Sequence, residues 1–96
     1  MTPDEILARA ADIVEFSGRW VNRQPWKNAE TCVLLALREA DGIRGTNSVV
    51  HGKALSALLQ EVDPPRGYDL GAWNDAPGRT AVEVATALRN AKRWLA

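Results

Sequence analysis

At 96 residues the chain has room for one hydrophobic core, and its 46% apolar and 25% charged content is that of an ordinary globular domain. Twelve Lys and Arg balance twelve Asp and Glu, so the basic excess that usually supplies phosphate affinity is missing and a nucleic-acid partner is disfavoured. The lone cysteine excludes an internal disulfide, no stretch approaches the ~20 apolar residues of a membrane span, and the acidic start lacks the layout of an export signal; a single helical domain over 1–96 in the cytoplasm is expected.

Thr2-Pro3-Asp4-Glu5 reads as a helix start, with a capping Thr, Pro at the first helical position and a T-x-x-E box. Ile6, Leu7, Ala10, Ile13 and Val14 then recur on one helical face, and Gly18 is a natural stop, which predicts a helix over 3–17. The stretch "GRWVNRQPWKN", 18–28, interrupts the pattern with Pro25 and two Asn. It is a long connection for a helical domain, the kind that often carries function. Asn28 can cap a helix over about 29–40, whose centre "CVLLAL" is apolar all round and is therefore placed centrally, buried on several sides. Asp41-Gly42 ends it.

After the turn-rich "GIRGTNS", one of Thr46, Asn47 or Ser48 caps a third helix over 48–62, with Ala54, Leu55, Leu58, Leu59 and Val62 as its core stripe. Asp63-Pro64-Pro65 terminates it, since neither proline continues a helix. A short helical turn over 68–73, capped by Asp69, precedes a second T-x-x-E box at Thr80 and Glu83. Val84, Leu88, Ala91 and Leu95 repeat on one face of the last helix. No run alternates with period two, so the expected fold is all-α: a bundle of four main helices and one short one.

The candidates for chemistry are few. Cys32 and His51, the only residues of their kinds, would form a thiol hydrolase or transferase site if Asp75 or Asn74 oriented the imidazole. Against this, Cys32 sits in an apolar run where a cysteine is by default a small hydrophobe, and His51 beside Gly52 reads as an exposed or cap-region residue. Two such ligands fall short of a structural zinc site, no calcium-loop spacing or phosphate-binding glycine motif occurs, and no metal or cofactor is expected. Arg89, Lys92 and Arg93 in "RNAKRW" would be the contact set of a weak nucleic-acid binder, although cations at a helix C-terminus are favoured by the macrodipole alone. Four tryptophans are many for this length. "RWVNRQPW" combines Trp20, Arg23 and Trp26, the residue types that most often anchor protein–protein contacts; the competing reading has the rings roofing a small core.

"WNDAPGRT", 73–80, has turn and cap chemistry at each position: a ring to close the short helix, Asx side chains for backbone N–H groups, a Pro-Gly turn, Arg79 to pair with Asp75 or Glu83, and Thr80 as N-cap. With the Glu83-Val84 that follows, this stretch resembles the C-terminal signature of a small uncharacterised actinobacterial and actinophage domain-of-unknown-function family. The matching positions are Trp73, Asn74, Asp75, Gly78, Arg79, Thr80, Glu83 and Val84, with a looser likeness over Ile6–Val14, Trp20, and Cys32 opening Val33–Leu37. The likeness departs in the link before Cys32, where members often carry a glycine-rich stretch and this chain has "RQPWKNAET". It implies a phage or actinobacterial accessory protein and no established activity. The sequence therefore favours a non-enzymatic interaction module that binds an unidentified host or viral protein through Trp20, Arg23 and Trp26. A homo-oligomer is compatible with it.

Overall fold

The computed structural model describes residues 2–23, 30–42, 49–64 and 69–95. Helix α1 (Pro3–Phe16) begins at the expected capping box. The Glu5 N–H donates to Thr2 Oγ1 at 3.2 Å, and the Thr2 N–H donates to Glu5 Oε1 at 3.0 Å, so two donors at the helix start are satisfied reciprocally. Ile6, Leu7, Ala10, Ala11 and Val14 are buried. The small Ala10 and Ala11 let neighbouring helices approach, and α1 packs on α2, α3 and α5. Gly18, at φ +73°, turns the chain away.

Helix α2 (Val33–Asp41) starts later than the expected residue 29. The reason is non-local: the Thr31 N–H donates to Arg19 C=O at 2.8 Å and the Thr31 C=O accepts from the Val21 N–H at 2.9 Å. That one-residue parallel bridge between Trp20 and Thr31 holds the chain extended up to the N-cap, Cys32. A single bridge is too short to leave a period-two signal. Asn28, the expected cap, lies outside the described residues. Val33, Ala36, Leu37 and Ala40 are buried, and α2 packs on α1, α3 and α4. Gly42, at φ +83°, ends it.

Helix α3 (Val49–Val62) matches its expected span; its expected caps Thr46, Asn47 and Ser48 lie outside the described residues. Its buried face is rotated from the expected stripe. His51, Ala54, Ala57 and Leu58 are buried, Leu55 and Val62 are partly covered, and Leu59 is exposed. His51 is thus in the first turn of α3, as the cap-region reading has it, but buried and not exposed. Asp63 takes the left-handed position that ends α3, at φ +41°, with its N–H on Leu59 C=O at 2.9 Å. Helix α4 (Leu70–Asn74) is capped as expected by Asp69, whose Oδ1 accepts from the Ala72 N–H at 2.8 Å.

A turn follows in which the Arg79 N–H reaches Ala76 C=O at 3.0 Å, with Pro77 and Gly78 between them and Gly78 at φ +82°. Helix α5 (Ala81–Asn90) starts at the second capping box, where the Glu83 N–H donates to Thr80 Oγ1 at 3.2 Å. Val84, Ala85 and Leu88 are buried. The chain then tightens into a 3₁₀ turn (Ala91–Trp94) that packs on α3. Among the described residues the fold is the expected all-α bundle of four main helices and one short one, and one apolar cluster draws residues from these five helices and from Ala91.

Candidate functional site at the neck of the Trp20–Thr31 segment

A set of connected polar contacts lies where the chain leaves α1 and re-enters at α2. Arg19, just past α1, makes a two-oxygen ion pair with Glu39 of α2, at 3.0 and 2.9 Å. The Trp20–Thr31 bridge comes next. Arg23 then pairs with both carboxylate oxygens of Glu30, at 2.8 and 2.6 Å, across the same neck.

Asn74, at the end of α4 and fully buried, organises the neck from below. Its Oδ1 accepts from the Trp20 indole N–H at 2.7 Å and from the Val33 N–H at 3.1 Å. Its Nδ2 donates to Val21 C=O at 2.9 Å and to Asp75 Oδ1 at 3.0 Å. These four bonds exhaust the two donors and two lone pairs of a carboxamide. The amide's orientation follows from its partners: the indole and the Val33 N–H can only donate, and the Val21 carbonyl can only accept. One buried side chain therefore joins the first residues of the segment, the N-terminus of α2 and the end of α4.

Arg79 braces the same region from outside. Its guanidinium lies over the Trp73 ring, 4.4 Å from the centroid, its Nε donates to Trp73 C=O at 3.0 Å, and its Nη1 is 3.3 Å from Glu83. Of the two expected partners for Arg79, Glu83 is the one it meets. The Asn22 amide reaches Arg79 C=O at 3.4 Å, tying the segment to the turn before α5. Trp73, Asn74, Asp75, Gly78, Arg79, Thr80 and Glu83 thus form one framework around the neck.

Of the two readings the sequence left open for Trp20, the structure matches the ring that roofs the core. Its ring packs against the core and its N–H is held by Asn74, because an indole amid polar neighbours in sequence meets its apolar neighbours and its acceptor only in three dimensions. Arg23 has a half-exposed side chain at the neck, 47% accessible. Trp26 lies outside the described residues.

The thiol constellation does not assemble. Cys32 stands at the N-terminus of α2, while His51 lies at the other end of that helix, its Nδ1 3.7 Å from Asp41 Oδ2. Nine residues at 1.5 Å rise put about 13 Å of helix axis between Cys32 and Asp41. Burial pushes the Cys32 thiol above its ordinary pKa, the Asp75 charge adds to that, and the Leu35 and Leu34 N–H groups oppose it. Asp75 therefore disfavours the thiolate instead of orienting a base. Among the described residues, no group of three His, Cys, Asp or Glu side chains is placed to hold a metal ion.

The basic tail is likewise engaged. Arg89 pairs with Asp12, at 3.1 Å, and with Glu15 of α1; Arg93 lies 3.1 Å from Glu61 of α3, which also accepts the Trp94 indole N–H at 3.0 Å. Two of its three cations thus fasten helices together. None of the described helices is long and apolar enough to cross a membrane.

The fold and site define a small all-α protein whose buried amide clamps the two ends of one connecting segment. A family model described as "Family of unknown function (DUF6197)" matches residues 1–93, and the chain belongs to that family. No curated protein and no solved structure matches it.

Proposed function

We propose that the chain is a non-enzymatic protein-interaction module that presents the segment between Trp20 and Thr31 to a protein partner. The observation that carries this reading is Asn74: a fully buried amide makes three of its four hydrogen bonds to the Trp20–Val21 end of the segment and to Val33, just past its other end. A segment whose ends are already fixed loses less conformational freedom on docking, so more of the contact free energy appears as affinity. In this reading Arg23 and Trp26 are contact residues and Trp20 is the anchor. A cytoplasmic location belongs to the same proposal, as does a phage or actinobacterial accessory role, which rests on the resemblance of "WNDAPGRT".

The test is affinity capture with the wild type, Arg23→Ala, Trp26→Ala and the double variant, each checked for an unchanged thermal midpoint. A specific protein held by the wild type and lost from the double variant is expected. The same proteins held equally by wild type and double variant would refute the site. Capture of nucleic acid alone, released by raised salt, would refute the class.

A further inference from the structure

We draw no further inference here: the strongest candidate, the groove of about 320 Å³ beside α5 where the Trp73–Arg79 stack meets the exposed Val82, is an open face and nothing in the structure shows what covers it.

Discussion

Replacing Asn74 by alanine removes four hydrogen bonds and deprives three backbone or ring groups of their partner: the Val33 N–H, in a buried bond, and the Trp20 indole and Val21 carbonyl, in part-buried ones. A buried polar group deprived of its partner costs about 1–3 kcal/mol. Taking about 2 kcal/mol for the Val33 donor and about 0.5–1 for each part-buried group gives a loss of roughly 3–4 kcal/mol, with water entering the vacated space at the neck holding it to that range. On a domain of this size that lowers the thermal midpoint by about 12–30 °C. Urea unfolding followed by circular dichroism measures it. A loss under about 1 kcal/mol would refute the reasoning, because it would mean that the four bonds contribute no more than solvated surface ones.

Asn74→Asp sharpens the test. The shape is kept and Oδ1 still accepts, but a second carboxylate now lies where Nδ2 stood, 3.0 Å from Asp75 Oδ1. Two carboxylates at that distance cannot both ionise cheaply, so the folded-state pKa of the pair rises. The sign follows: the folded variant holds its proton more tightly than the unfolded chain. Its deficit relative to wild type is therefore smallest below the ordinary carboxylate pKa and grows as pH rises through the raised folded value. A deficit that is constant from acid to neutral pH would contradict the placement of Asn74 beside Asp75.

Asp63→Gly places a residue without a Cβ at φ +41° and is expected to raise stability by about 0.5–1 kcal/mol, the relief of the left-handed cost less the entropy of glycine; a lowered urea midpoint would contradict it. Thr80→Ala removes the acceptor for the Glu83 N–H and should cost about 1 kcal/mol in the same assay, against no change if the box contributes nothing. Cys32, 1% exposed with its pKa raised chiefly by burial, should react with a thiol reagent at pH 8 only at the rate of unfolding, and rapid labelling of the native protein would overturn that. The backbone and hydroxyl of Thr2 hold the Glu5 carboxyl below its ordinary pKa. Its contribution is thus present above the unfolded-state carboxylate pKa and lost as pH falls through the lowered folded value. Glu5→Gln should accordingly narrow the gap between neutral and acid stability, read from urea midpoints at the two pH values.

What the sequence disclosed was local. Both T-x-x-E boxes lie within four residues, and both helices begin where those boxes put them. Asp69, Gly42 and the Pro77-Gly78 turn are legible for the same reason. What it withheld was long-range. The start of α2 is set by the pairing of Thr31 with residues 19–21, which no window centred on α2 contains. On α3 a stripe of leucines suggested the core face, but the helix turns Ala57 and His51 inward and leaves Leu59 out, since burial follows the neighbours' positions and not hydrophobicity alone. Polar sequence neighbours leave Trp20 open between a contact residue and a ring roofing the core, because the acceptor that fixes it is 54 residues away. Turn chemistry explains the place of Asn74 in the chain without revealing that it is buried.

The separation between Trp20 and Asn74 also sets an order of assembly. Contacts that close long stretches of chain form late, because the entropy of closure precedes their reward. On a ribosome the N-terminal helices can emerge and begin to pair while the Trp20 indole still lacks its acceptor, and α1 cannot gain its contact with α5 until the last quarter of the chain has been made. The neck's bonds to Asn74 are therefore completed only after the residues of its own bridge and ion pairs have been synthesised. A chain cut before residue 74 would retain the sequence of the Trp20–Thr31 segment without the side chain that fixes its ends.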